Sequence, residues 1–297
     1  MPPLLAVPNV SEGSDGALID ALATSFSGDG ASELDRHTDA DHDRTVFTLA
    51  GEPAALQAAL LAGAKGAVES IDMSSYDGLH PAIGALDVCP LVWTGEAGHD
   101  EAAASARAVA AGIAELGVPV FLYGALASSP ERAERAYFRN GGLRELSLRM
   151  EGGELLPDLG PASPHPRAGA TLVTARPPLA AFNVELDTGD VEVARSVAAG
   201  LRESGGGLPG VRAIGLSLAG GRAQVSTNVH DPLATPLALV VERVRALAAA
   251  LGARPLEAEL VGLLPEAALA GYPDDVPIRG FDPAKHTIER RLAAPTD

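Results

Sequence analysis

The sequence predicts an α+β protein built from two tandem βαββαβ units, on three observations. Residues 4–92 alternate strand-like and helix-like periodicity in the order β-α-β-β-α-β. The same order recurs over residues 179–262, and a Gly- and Pro-rich, weakly periodic stretch, 140–169, separates the two runs. A tandem pair of such units matches a duplicated ferredoxin-like, split βαβ arrangement. Each unit then covers one sheet face with helices on the outside, so that the free faces flank a central cleft.

In the first half, Leu4–Val10 is a short apolar strand ended by the turn signal Ser11-Glu12-Gly13. Asp15 caps a helix to about Phe26, with Leu18, Ile19, Leu22 and Phe26 on one face. Ala31–Thr38 reads as a weak strand, Asp39–Asp43 as a polar connection, and Arg44–Leu49 (RTVFTL) as a strand of alternating β-formers. A helix from Pro53 to Ile71, with Pro in its first turn, precedes a strand over Ile83–Val92. Asp100–Leu116 is a further helix and Val118–Tyr123 a strand, and Ser129-Pro130 opens a short charged helix to about Phe138.

In the second half, Leu179–Asp187 is a strand, and Thr188 is the expected cap of a helix to about Glu203. Val211–Leu218 and Arg222–Val229 form a hairpin around Gly220-Gly221. Pro236–Leu251 is a helix and Leu256–Gly262 the last strand. The expected boundaries are therefore a first subdomain over 1–140, a connecting segment over 141–170, a second subdomain over 171–270 and a surface tail over 271–297.

Composition narrows the function. A hydrophobic share of 46% supports a real core, but aromatics are only 4%, leaving little surface on which to stack bases. The net charge of -17 argues against nucleic acid or an anionic membrane as partner. Arginine supplies nearly all the positive charge, the lysines being Lys65 and Lys285; its planar fork suits carboxylates, although genomic bias gives the same enrichment. The lone Cys89 sits in an apolar run, as an inert buried thiol does, and rules out disulfides within the chain. With no basic leader and no uninterrupted apolar span, the expected setting is cytoplasmic.

Three stretches can carry chemistry. His80 lies between a polar, Gly-containing elbow and an apolar strand, and Pro81 pushes it toward extended geometry. A histidine at a strand mouth suits general acid/base work, and a loop histidine that only caps or packs is the other reading. The segment His37–Asp43 is rich in metal-capable groups, but read as a calcium loop from Asp39 it puts Arg44 where glycine is needed and Ala50 where glutamate is needed. A His37/His42 zinc pair, a substrate-contacting loop and a solvated acidic turn stay open there. Pro157–Gly169 is either a plain linker or a ligand loop offering backbone donors and a cation.

Many short runs together resemble the glutamate formimidoyltransferases, the formiminotransferase module of the formiminotransferase-cyclodeaminases. They are Pro8-Asn9-Val10-Ser11-Glu12-Gly13, Asp43-Arg44-Thr45-Val46-Phe47-Thr48, Ile71-Asp72-Met73, His80-Pro81 and Gly84-Ala85-Leu86-Asp87-Val88-Cys89-Pro90. Leu116-Gly117-Val118-Pro119-Val120, Pro157-Asp158-Leu159-Gly160-Pro161, Gly169-Ala170-Thr171 and Ala175-Arg176 follow. Ala181-Phe182-Asn183-Val184, Gln224-Val225-Ser226-Thr227-Asn228 and Val261-Gly262-Leu263 complete a collinear series from about residue 6 to 269.

The resemblance implies two ferredoxin-like subdomains and the transfer of a formimino group from N-formimino-L-glutamate to N5 of tetrahydrofolate, in histidine degradation and one-carbon metabolism. It implies a free-standing transferase with tetrahydrofolate as co-substrate and no metal, and the family's dimers point to a homodimer. His80 is the implied acid/base catalyst. The implied folate loop is Gly160, Pro161, Ala162, Ser163, Pro164, His165, Pro166, Arg167, Ala168 and Gly169, and His37, Arg44, Arg176 and Asn183 are the residues assigned to substrate. Around the histidine the family usually reads Lys-His-Lys-Gly-Glu-His-Pro-Arg-Met-Gly, whereas this chain has SYDGLHPAIG over 75–84, without the flanking cations and the acid. That departure leaves two alternatives in view: formyl transfer involving 5-formyl-tetrahydrofolate and glutamate or another donor, and a non-catalytic folate-binding paralogue.

Overall fold

A computed structural model describes residues 3–28, 30–78, 81–95, 98–218 and 220–294. The chain forms two compact units, Met1–Arg176 and Pro177–Asp297, each an α+β body with its own sheet.

The first sheet has seven strands among the described residues. β1 (Leu4–Ala6) and β2 (Asn9–Val10) are one strand interrupted at Val7-Pro8, and both pair antiparallel with β4 (Arg44–Gly51) and β5 (Leu86–Val92). β3 (Ala31–Asp39) forms a hairpin with β4. The order β3, β4, β1/β2, β5 is that of a split βαβ unit, as the periodicity predicts. Beyond β5 the sheet continues in parallel with β7 (Thr171–Arg176) and β6 (Val120–Leu122).

Three helices, α1 (Gly16–Phe26), α2 (Pro53–Ser70) and α3 (His99–Glu115), cover one face of this sheet. Asp15 caps α1 by accepting from Ala17 and Leu18. Phe26, Leu56, Leu60, Val109 and Ile113 meet Phe47, Leu49, Cys89, Leu91 and Val173 from the strands, all essentially fully buried. Side chains alternate along a strand, so Arg44, Val88, Leu172 and Arg176 turn to the other face. There α4 (Arg135–Arg139) and α5 (Gly142–Glu151) pack Phe138, Leu146 and Met150 against Val88, Phe121, Tyr123 and Leu172.

This arrangement corrects the expected boundary. The stretch 141–170 is not a connection between halves: it contains α5, and Val120 pairs with Leu159, so it belongs to the first unit. Leu143, Leu146 and Met150 give α5 its apolar stripe, too short a pattern to stand out beside two helix-breaking glycines. The strand at Thr171–Arg176 was hidden likewise, being a short buried run without alternation.

The second sheet has the order β11 (Pro255–Val261), β8 (Ala180–Leu186), β10 (Ala223–Val229), β9 (Val211–Ser217), all antiparallel. It repeats the split βαβ order of the first unit. Helices α6 (Val191–Leu201) and α7 (Leu237–Ala249) bury Val197, Leu201, Val240 and Val244 against Phe182, Val184 and Val225. Asp190, not Thr188, caps α6 by accepting from Glu192; the Thr188 hydroxyl accepts from Asp190 one step earlier. The tail is structured up to residue 294: Ala258 donates to Pro277 and accepts from Arg279, and two short helices, α8 (Pro283–His286) and α9 (Ile288–Ala293), follow. No helix of the described residues is long and apolar enough to cross a membrane.

α1 and α2 approach closely at Gly63 of α2, where a Cβ would fall 2.0 Å from Phe26 Cδ1. Gly63→Ala is expected to destabilise the fold by about 1–3 kcal/mol through overpacking. A denaturant midpoint left unchanged would show that α1 and α2 have room to part.

Candidate active site

Three short sequence runs brace one another at the mouth of the first sheet. Gly13 runs so close to the β3–β4 turn that a Cβ would lie 2.2 Å from the Asp39 carbonyl, which is why glycine stands there. Asp43, the non-glycine residue with positive φ (45°) among those described, accepts from the Gly13 amide at 2.8 Å. Thr45 donates to the Glu12 carbonyl at 2.7 Å, and Ser11 to the Gly84 carbonyl at 2.8 Å. Arg44 is thereby fixed at the start of β4, where it donates to the Asn9 side chain.

Beside it, β5 carries a bulge. Asn9 pairs with Val88 but Val10 pairs with Leu86, so Asp87 has no opposite residue. Its buried carboxylate accepts from the Ile83 amide at 2.8 Å and from Arg139 of α4. One turn earlier on α4 stands Arg135, and at the far end of β7, next to Tyr123, stands Arg176. Arg44, Arg139, Arg135 and Arg176 thus form a row along one sheet face. Each is half-buried.

The row is electrostatically strained. Burial, then repulsion from Arg139 and Arg135, pulls Arg44 down to about 9, against the attraction of Asp87. Burial takes Arg176 to about 10, with Tyr123 opposing and Arg135 adding to the shift. Arg135 is lowered by burial and by Arg139, while Tyr123 and Asp87 oppose the shift. Arg44 and Arg176 remain cationic at neutral pH. The Nε atoms of Arg44 and Arg139 are buried without a hydrogen-bond partner among the described residues. Guanidiniums so placed gain from an added carboxylate, which relieves repulsion and satisfies donors together.

His37 shares the face of Arg44, since His37 pairs with Val46 and Asp39 with Arg44 across the hairpin. Next to it, His42 Nδ1 lies 2.7 Å from Asp39 Oδ2, and the His42 amide donates to Oδ1 at 3.0 Å. Tyr76 donates to the His42 carbonyl at 3.2 Å, and burial pushes its phenol well above the usual range.

The 160–169 loop is closed at both ends by glycines in the left-handed region, Gly160 at φ 86° and Gly169 at φ 69°. His165 and Gly169 exchange backbone hydrogen bonds, and His165 Nδ1 accepts from the Ala168 amide at 2.9 Å. The loop is stapled to the segment that carries the candidate catalyst. Met73 donates to the Arg167 carbonyl, Ala85 to that of Ala168, and Ala170 to that of Ile83. Arg167 itself is exposed and pairs with Asp72 at 3.3 Å. His80 lies outside the described residues, between these anchored ends.

Arg44 and Arg176 therefore stand in one constellation, with His37 on the same face. Asn183 belongs to the second unit, where it donates to Glu259 at 3.1 Å on the face opposite α6 and α7. Sequence reading missed Asn9, Asp87, Arg135 and Arg139. The available signal was the i, i+4 arginine pair in the short charged helix at 135–139.

Two family models match the chain in tandem: the formiminotransferase domain, N-terminal subdomain, over residues 4–176, and the formiminotransferase domain over residues 181–272. The chain belongs to the formiminotransferase family. It is 38% identical to a glutamate formimidoyltransferase of Streptococcus pyogenes, over 96% of this chain and 97% of that protein. A glutamate formimidoyltransferase of Thermoplasma acidophilum is 34% identical, over 96% of each chain. The formimidoyltransferase-cyclodeaminase of Rattus norvegicus is 39% identical over 89% of this chain, which spans 50% of that longer protein. The subdomain boundary of the family falls at the junction of the two units seen here.

Asp39 provides a pH test of this framework. Burial alone would raise its pKa, but the hydrogen bonds and charge of His42 outweigh it and hold the carboxyl near 2, below its ordinary 3.8. A depressed carboxyl pKa adds stability at pH above the ordinary value, and that stability is lost as pH falls from about 4 to 2. Between pH 6 and pH 2 the protein should therefore lose about 2 kcal/mol more than Asp39→Asn does. Denaturant titrations of both at the two pH values measure it, and parallel losses would refute the pairing.

Proposed function

We propose that the chain transfers the formimino group of N-formimino-L-glutamate to N5 of tetrahydrofolate, with His80 as general acid/base. The observation that carries this reading is the row of four guanidiniums on one sheet face, in a chain that belongs to the formiminotransferase family. A donor with two carboxylates is the ligand such a row suits. Relatives matched over both units bear the name glutamate formimidoyltransferase.

N5 of the reduced pterin attacks the formimino carbon, and its bond to that carbon forms as the C=N π pair moves onto nitrogen. The tetrahedral intermediate collapses by breaking the carbon bond to the glutamate nitrogen. N5 loses a proton and the departing nitrogen gains one, so a single imidazole serves both transfers, first as base and then as acid. Relay of this kind contributes about 10²–10⁴-fold in rate. Arg44 holds a donor carboxylate in this reading, with Arg176 and His37 as further substrate contacts of the first unit. Residues 160–169 are the folate loop, with tetrahydrofolate as co-substrate and backbone amides rather than Arg167 as the main donors. No step uses a metal. In this reading the reaction runs in the cytoplasm.

The altered run around His80 keeps formyl transfer as the second reading. Purified protein given N-formimino-L-glutamate and tetrahydrofolate should yield 5-formimino-tetrahydrofolate and glutamate. His80→Ala should lower kcat by at least about 100-fold and leave folate affinity within a few-fold. Turnover with 5-formyl-tetrahydrofolate and glutamate alone would select the formyl reading; folded protein with no turnover would reject both.

A further inference from the structure

We infer that Arg135 is the specificity-determining residue for a dicarboxylic donor, reading the second carboxylate while Arg139 and Arg44 take the first. The inference deepens the transferase reading and rests on it.

The geometry begins with α4. Phe138 is fully buried against Phe121, with ring centroids 5.1 Å apart, so the helix is fixed on the sheet. Arg135 and Arg139 flank Phe138 on the same helical stripe, one turn and about 6 Å apart along the axis. That spacing is about the reach between the two carboxylates of an extended glutamate.

The two arginines differ in their surroundings. Arg139 is tied to Asp87 of β5, and Arg44, tied to Asn9 of β2, stands on β4, on the far side of β2. Asp87 therefore aims Arg139 and leaves its Nε unused. Arg135 has no hydrogen bond or ion pair among the described residues, and lies between Arg139 and Arg176 with Tyr123 beside it. Along β5, Asp87 and the level of Arg176 (opposite Val92) are five residues, about 16 Å, apart. One carboxylate cannot bridge that length. A first carboxylate at Arg44 and Arg139 leaves a second within reach of Arg135. A monocarboxylic donor, such as N-formiminoglycine, would use the first position and leave Arg135 unmatched, at the cost of an unpaired cation.

The test compares N-formimino-L-glutamate with N-formiminoglycine as donors, and L-glutamate with glycine as calorimetric ligands, in wild type, R135Q and R135K. Wild type should prefer the dicarboxylic member of each pair. R135Q should lose about 10- to 100-fold of that preference, through KM rather than kcat. R135K, which keeps the charge without the fork, should regain part of it. An undiminished glutamate preference in folded R135Q would overturn the inference, as would a wild type with no preference. Glutamate binding that fails in R135Q, in a protein without transfer activity, would uphold this site while rejecting the transferase reading.

Discussion

The first unit is organised around the need to keep guanidinium groups on a sheet face that is largely dry. A sheet needs only apolar side chains beneath packed helices, and α4 and α5 supply such packing through Phe138, Leu146 and Met150. Arg44 and Arg139 are nevertheless held at the edge of this packing, and a buried cation without a counter-charge is among the costliest groups a fold can carry. The bulge at Asp87 supplies the one that Arg139 needs. An extra residue in β5 turns a carboxylate toward α4, and the Ile83 amide anchors that carboxylate from behind. Without the bulge, the side chain at that position would pair across the sheet and the row would lose its fixed point.

The supports of Arg44 are of a different kind. Asn9 is neutral, so it fixes the guanidinium without cancelling its charge. Gly13, Asp43 and Thr45 set the backbone around it, and Asp87 acts on its head without a direct ion pair among the described residues. The second unit handles its charges in the opposite way. Glu185 is buried between Arg222 and Arg279, which also bind Glu257, so cations and anions are closed on one another. A compensated network of this sort stiffens a sheet face; an under-compensated one is poised to take an anion.

The element order was legible because it depends on periodicity. The second unit follows its predicted strands and helices to within a few residues, and the first does so through β5. What escaped was set by tertiary position. Thr171–Arg176 joins the first sheet as a buried parallel strand, a pairing that no local alternation announces. Residues 142–151 form a helix because their apolar stripe meets Phe121 and Leu172, partners far away in the chain. In the site, Arg44 and Arg176 were reached through the family's motifs. Arg135 and Arg139 were not, because a charged pair on a short helix looks like any solvated face until the helix is docked. Asp87 was quoted within a motif, but its task arises from a bulge that only strand pairing reveals.

Beside the Arg167–Asp72 pair, main-chain hydrogen bonds tie the 160–170 loop to the ends of the 74–82 segment. Main-chain bonds do not depend on which side chains stand at those positions. The side chains of residues 74–78 and 81–82 can therefore diverge without removing these bonds. The other side of this freedom is energetic coupling. Substitutions that shift the loop backbone and those that shift the histidine segment act on one shared set of bonds, and their effects will not add. Divergence of sequence and rigidity of frame are, in this region, products of the same hydrogen bonds.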